Sequence, residues 1–347
     1  MRFYTGQHRF YCGIDLHARS MFLCILDSQG AILVHKNIPT SPEAFLKAIE
    51  PYRSDLVVAV ECIFSWYWLA DLCAREHIPF VLGHALYMKA IHGGKSKNDK
   101  IDAHKIATLL RGGMIPQAYV YPAEMRATRD LLRRRMHLMR KRAELLAHIQ
   151  NTTSQYNLPE LEKAIAYRKN RDGLAHVFPD PTVRTSIAAD LELIDHYDDL
   201  LKRLELFILR CARVHDPNTL LRLRSVPGIG KILSLVILYE IHDIARFPSV
   251  QHFASYARLV KCPKISAGKR TGSGGAKIGN AHLKWAFSEA AVLSLRGNPD
   301  AQNWLARVAA KHGKPKALSI LAHKLGRTVY SLLAKERAFE MKKFLAA

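Results

Sequence analysis

The sequence lacks three features that would each have settled its class. No run of about 18 apolar residues occurs, the length a membrane-crossing helix needs; the longest candidate, Ile232 to Tyr239, is eight residues. No apolar stretch follows the start MRFYTGQHRFYCGID, so no secretory leader is expected. None of the six cysteines (Cys12, Cys24, Cys62, Cys73, Cys211, Cys262) belongs to a C-x-x-C pair. They read as buried free thiols in a reducing cytoplasm rather than as a disulfide frame or a zinc site. Acidic residues are also scarce, 30 against 52 Lys and Arg in 347 residues, for a formal charge of +22. Half the residues are hydrophobic, which excludes global disorder.

The charge is uneven. Residues 1–120 carry a net +3 and residues 121–347 a net +19. A strongly basic remainder behind a near-neutral first domain points to a polyanion, and the common cytosolic polyanion is nucleic acid. Two stretches hold the excess. Between Arg126 and Arg142 lie eight bases (Arg126, Arg129, Arg133, Arg134, Arg135, Arg140, Lys141, Arg142) and one acid, Asp130, interleaved at helical spacing with Leu131, Leu132, Met136, Leu138 and Met139. That predicts a long helix with one basic and one apolar face, whose bases either contact phosphates or form a solvated surface. From Arg258 to Lys284 there are seven bases and no acid, with a Gly/Ser/Thr-rich segment after Ser266. This predicts a basic flexible loop.

Period-two alternation predicts strands over Phe10–Leu16, Ser20–Asp27 and Ala31–Ile38. Ser41-Pro42-Glu43 opens a helix. DLVVAVEC (Asp55–Cys62) reads as a buried parallel strand. A helix over Trp66–Glu76, a strand over Pro79–Gly83 and a helix over Asn98–Arg111 follow. Three strands, helix, strand, helix, strand is the order of the ribonuclease H fold. The middle, about 124–215, is helical with a Pro/Gly-rich break at Gly173 to Pro181, and its second half has the spacing of an antiparallel helix pair or short coiled coil.

Four acids occupy telling places. Asp15 lies inside the first strand, Glu61 ends the DLVVAVEC strand, and Asp99 and Asp102 share one helix face. An acid within an apolar strand is costly unless paired or metal-bound. Four acids at one spot repel unless divalent cations relieve them, and hard oxygen donors suit Mg²⁺ or Mn²⁺. Two such ions about 4 Å apart can clamp both oxygens of a phosphodiester displacement. Gly13-Ile14-Asp15 also opens the actin-like ATPases, but those need later glycine-rich phosphate loops, and Gly93-Gly94 is the only nearby pair.

Val226-Pro227-Gly228-Ile229-Gly230-Lys231 fits a helix–hairpin–helix turn, with Gly228 and Gly230 letting backbone amides approach phosphate at a helix start. Beyond it, Ser266 stands among Lys264, Lys269 and Arg270, ahead of Lys277. Neighbouring cations favour a serine alkoxide and hold a phosphate. By chemistry alone Ser273 is an equal nucleophile, or the segment is a passive phosphate clamp. Tyr11, His17 and His104 read as structural.

GIDLHA, the VEC strand end, KNDKIDA, VPGIG and SAGKRTGSGGAKIGNAHLKWA together resemble, from about residue 10 to 330, the insertion-sequence transposases of family one hundred and ten. These are DEDD/serine recombinases guided by a bridge RNA. The resemblance implies a RuvC-like DEDD domain over 8–122, a helical, coiled-coil region over 123–215, and a mainly α C-terminal transposase domain with the serine over 216–347. It implies Mg²⁺ on Asp15, Glu61, Asp99 and Asp102. Counting back about fourteen residues from the Gly279-Asn280 pair, as the family pattern does, gives Ser266 as its nucleophile, with Ala267 where many members have glycine. It also implies donor and target DNA, a structured RNA, a dimer or tetramer, and a prokaryotic, nucleoid-associated location with no membrane. A RuvC-like endonuclease that activates water, and a nucleic-acid-binding protein without chemistry, are the competing readings. The intact set of acids argues against the second, and the basic serine segment against the first.

Overall fold

The computed structural model describes residues 2–91, 98–161, 163–212, 214–274 and 278–346. They form two compact units, Met1–Ala123 and Glu124–Ala347. Among the described residues no helix is long and apolar enough to cross a membrane. Lys277 and the Gly93-Gly94 pair lie outside the described residues.

In the first unit the alternating segments become β1 (Phe10–Leu16), β2 (Ser20–Asp27) and β3 (Ile32–Pro39). The Asp27 carboxylate closes the turn between β2 and β3, accepting from the Gln29 and Ala31 amides at 2.9 and 2.8 Å. Ser41 caps α1 (Pro42–Ile49) by accepting from the Ala44 amide. Then come β4 (Leu56–Glu61), α2 (Tyr67–Arg75), β5 (Phe80–Gly83), α3 (Ala85–Ile91) and α4 (Asp99–Arg111). The side chain of Asn98 caps α4, accepting from the Ile101 amide at 2.8 Å.

The strands form one mixed sheet in the order β3-β2-β1-β4-β5. The β1–β2 and β2–β3 pairs are antiparallel, and β1–β4 and β4–β5 are parallel. Alternation gives β1 two different faces. Cys12, Ile14 and Leu16 pack with Val58 and Val60 against Phe45 and Ile49 of α1 and Leu69 and Cys73 of α2. Tyr11 packs with Val57 and Ala59 against Ile106, Leu109 and Leu110 of α4. Gly13 shares that second face, and a Cβ there would fall 2.5 Å from the Ala103 carbonyl oxygen. The helix can lie this low because Ala103 and Ala107 are small and wholly buried. That close seat brings the first turn of α4 over the end of β1.

The second unit is mainly helical: α5 (Ala123–Gln155), α6 (Pro181–Cys211), α7 (Pro217–Arg224), α8 (Lys231–Ile241) and α9 (Val250–Tyr256), then β6 (Cys262–Ser266) and β7 (Lys269–Gly274), then α10 (Ala281–Leu293), α11 (Pro299–His312), α12 (Lys314–Ala334) and α13 (Met341–Ala346). Every residue of α8 from Leu233 to Ile241 is buried, so this mostly apolar helix lies in the core of the unit. Its core joins Leu132, Leu223, Phe253, Phe287, Leu321 and Val329.

In α6 the buried residues are Ile187, Ile194, Leu201 and Ile208, a seven-residue repeat that marks a helix-pairing seam. The partner is α5. Arg135 bonds Glu205 at 2.9 Å, Arg142 bonds Asp198 at 2.6 Å and His148 bonds Asp190 at 2.5 Å. Rising numbers on α5 meet falling numbers on α6, so the helices run antiparallel. Arg171, itself buried, bonds Asp195 and Asp198 beside this seam.

Candidate functional site

The expected carboxylates gather at one end of the sheet, the C-terminal end of the parallel pair β1 and β4. The β1–β4 register ends with Ile14 opposite Val60. The next pair in step is Asp15 and Glu61, and alternation turns both toward the face covered by α4. From that helix, Asp99 and Asp102 occupy the first turn, where the partial positive charge of a helix start favours carboxylates. His35 of β3 braces this turn, its Nε2 lying 2.9 Å from the Lys100 carbonyl oxygen.

The tightest group contains a residue that sequence reasoning set aside. One ligand atom each from Asp15, His17 and Asp99 lies within 4.8 Å of the other two. The His17 Nε2 is 3.3 Å from Asp15 and 3.5 Å from Asp99. Period-two spacing from Asp15 was the available signal, since residues i and i+2 of a strand share a face. Asp102 stands just outside this group, 3.4 Å from Lys105, and Glu61 is likewise not part of it.

Burial raises the Asp15 pKa above the ordinary carboxylate range. His17 pulls it down, while the negative charges of Asp99 and Asp102 push it up. This part-buried carboxylate among other carboxylates is the environment a divalent cation stabilises. Oxygen donors plus one imidazole fit Mg²⁺, and fit Mn²⁺ at least as well. The residues present therefore suit the group that the sequence implies.

The long basic helix differs from the expectation of one open basic face. Arg129 and Arg133 converge on Glu240 of α8, at 2.9 and 2.6 Å. Glu240 is only 2% exposed. Burial would raise its pKa, but the bond from Arg133, the charges of Arg129 and Arg133, and the Asn280 amide overcome this and hold it at about 2. Arg126 is buried too, and Arg135 and Arg142 bind α6. These guanidiniums hold helices together because a buried charge must be paired. Arg134, Arg140 and Lys141 are exposed, although Lys141 is drawn to Glu144 at 2.7 Å.

Between α7 and α8 the two glycines have different tasks. Gly228 has φ +84°, and a Cβ on it would lie 2.3 Å from the Ala290 carbonyl oxygen of α10. Its missing side chain is a packing requirement within the unit. Gly230 has nothing within 4 Å of the same position. It is exposed, as is Lys231, and no side chain caps α8 there.

The serine segment is a β-hairpin rather than a loop. Ser266 pairs with Lys269, and Ala267 and Gly268 between them have φ +47° and +74°. Two positive φ values make the two-residue turn whose twist suits a hairpin. Ser266, Lys264, Lys269 and Arg270 are all exposed. Opposed residues share a face, so Lys269 stands beside Ser266, whereas Arg270 is opposite Ile265 and on the other face. Arg258 donates to the Ile278 and Gly279 carbonyls at 3.0 Å each, and Asn280 caps α10 while donating to Glu240 at 2.8 Å.

Comparison with known proteins gives the class. A model for DEDD transposases of IS110 type, described simply as a transposase, matches residues 12–158, which include the four acids and all of α5. A second, described as "Transposase IS116/IS110/IS902 family", matches residues 220–305, which include the α7–α8 turn and the serine hairpin. The transposase for insertion sequence element IS1111A of Coxiella burnetii is 21% identical over 337 residues, covering 94% of this chain and 90% of that protein. An uncharacterized 43.6 kDa protein of insertion element IS110 from Streptomyces coelicolor is 32% identical over 111 residues, 32% of this chain and 27% of that one. The chain is thus an insertion-sequence transposase, a protein of DNA recombination. It belongs to the IS110 family.

Proposed function

We propose that this transposase cuts and rejoins DNA strands through a transient phosphoserine, with a metal site on a ribonuclease H-like, RuvC-type domain. The observation that carries the reading is the convergence of Asp15, His17 and Asp99 at one end of the β1–β4 pair. Asp15, Glu61, Asp99 and Asp102 would hold Mg²⁺ or Mn²⁺. A cation bound there supplies positive charge to the scissile phosphate as its own charge builds up.

The chain's residues do the rest. Ser266 Oγ gives up its proton and bonds to phosphorus as the bond from phosphorus to a sugar oxygen breaks, and the departing oxygen takes up a proton. A second DNA hydroxyl then displaces the serine, so no bond energy is lost and no ATP is needed. Lys269, opposite Ser266, neutralises phosphoryl oxygens during both steps. The acting form is a dimer or tetramer. Arg134, Arg140, Lys141, Gly230 and Lys231, as a helix–hairpin–helix and its neighbour, hold donor and target DNA backbone. They also hold a guiding bridge RNA, by shape more than by sequence.

The test is covalent trapping. Protein, element-end RNA, labelled donor and target DNA and Mg²⁺ are mixed, denatured and resolved for a protein–DNA adduct. An adduct present in wild type and in Ser273→Ala, but missing in Ser266→Ala, is the expected outcome. Cleaved DNA without any adduct would replace this reading with hydrolysis.

A further inference from the structure

Among the described residues, Phe64 is the most exposed large apolar side chain, at 84%. A single surface phenylalanine is ordinary; the position of this one is not. It lies on the short strap between β4 and α2, three residues after Glu61, and the strap is tied down along its length. The Cys62 amide donates to the carbonyl of Gly83, the last residue of β5, at 2.8 Å, and the Ile63 amide donates to the Glu61 carbonyl at 2.8 Å. The Ser65 hydroxyl donates to the carbonyl of Leu16, the last residue of β1, at 3.1 Å. Trp66 then anchors the far end in the core, 5% exposed, edge-on to Tyr67 and stacked near Phe80. The strap therefore crosses the strand ends that carry Asp15 and Glu61. It presents a bare aromatic ring there, where an apolar side chain would ordinarily be buried.

We propose that Phe64 is a stacking platform for a nucleobase beside the phosphate handled at the acid cluster, so that this site takes an unpaired or splayed strand. The proposal rests on the recombinase reading of that cluster. A base inside a duplex has both faces covered; a strand end, a nick or a flipped base offers one to a ring. Stacking is indifferent to sequence, because every base has a π face, and it suits a strongly cationic protein whose phosphate contacts are equally unselective.

The experiment uses the full chain in Mg²⁺ with three short labelled probes: a single-stranded DNA, an abasic strand of equal length, and the duplex. Wild type binds the base-bearing strand more tightly than the abasic one. Phe64→Ala loses about 5- to 100-fold on the base-bearing strand and little on the other two. Phe64→Trp keeps the preference, and Phe64→Leu, apolar but unable to stack, does not. A strand substituted with 5-iodouracil, irradiated and digested, yields a crosslinked peptide containing Phe64. So exposed a side chain leaves the fold intact, and unchanged thermal melting of each variant verifies this. Base-bearing strands bound equally by wild type and Phe64→Ala, or full rescue by Phe64→Leu, would overturn the stacking role and leave the recombinase reading standing. Failure of wild type to bind any of the three probes would overturn both.

Discussion

Gly13 of β1 and Ala107 of α4 lie so close that a methyl group on Gly13 would fall 2.2 Å from the Ala107 backbone nitrogen. Asp99 and Asp102 sit on the same helix, one to two turns before that contact, so the position of the acid cluster depends on this glycine. Gly13→Ala must push α4 outward. The expected results are a loss of about 1–3 kcal/mol in the stability of the first unit and weaker Mn²⁺ binding, read by thermal melting and by electron paramagnetic resonance titration. Wild-type Mn²⁺ affinity in a folded Gly13→Ala protein would separate helix packing from the site.

The Glu240 pair makes the second unit sensitive to acid, and a neighbour works in the same direction. A carboxylate depressed to about 2 contributes stability that is fully present above its unfolded value of about 4.3 and is lost as pH falls toward 2. His282, lowered to about 4 by burial and then by the charge of Arg133, stays neutral where the unfolded chain takes up a proton, so stability also falls between pH 6.5 and 4. Glu240→Gln strands two paired arginines at a cost of about 3–5 kcal/mol at neutral pH, and it flattens the decline below pH 4.5. Urea melts across pH 3–7 measure both. A variant as acid-labile as wild type would assign the lower window to other carboxylates.

The two glycines before α8 separate by variant. Gly228→Ala meets α10 and a positive φ, so the second unit loses several degrees of melting temperature. Gly230→Ala finds open space and an ordinary φ of −80°, so the fold tolerates it. If DNA phosphate approaches the start of α8, Gly230→Ala weakens DNA binding at unchanged melting temperature. Equal affinity for wild type and Gly230→Ala would leave the turn a structural element only.

The basic helix divides in the same way. Arg133→Ala removes a ligand of Glu240 and shows chiefly as lost stability. Arg134→Ala, Arg140→Ala and Lys141→Ala combined leave melting unchanged and lower DNA affinity. They reduce the salt slope of binding by roughly one unit per phosphate contact removed. A salt slope equal to wild type in the triple variant would show those three side chains facing only water.

Much of this organisation is legible in the sequence because it is local. Strand alternation, the Ser41 cap, the buried β4 run and the long helix all follow from neighbours a few residues apart. Asp15 and Asp99, which the structure brings together with His17, were legible as well, since each belongs to an element whose end the pattern marks. What stayed hidden depends on distant partners. No local signal tells Arg133, paired with Glu240 across 107 positions, from Arg134, which faces water. Nor could the glycine pattern of the α7–α8 turn reveal that α10 fills the space beside Gly228. The turn at Ala267 was hidden for a different reason: an alanine at positive φ is disfavoured by roughly 1–2 kcal/mol, so the segment read as loop.

That hairpin turn also ranks the cations around Ser266. Lys269 is directly opposite the serine, and Arg270 is opposite Ile265, so of these two Lys269 alone shares the serine's face. In the trapping assay Lys269→Ala therefore lowers adduct formation about 10- to 100-fold, the range of one charge-assisted hydrogen bond, and Arg270→Ala lowers it much less. Both variants keep the wild-type melting temperature, because neither side chain is buried. Ala267→Gly relieves the turn without moving Ser266 and keeps full adduct yield. Equal losses in Lys269→Ala and Arg270→Ala would mean that the phosphate lies across the tip of the hairpin and is reached from both faces.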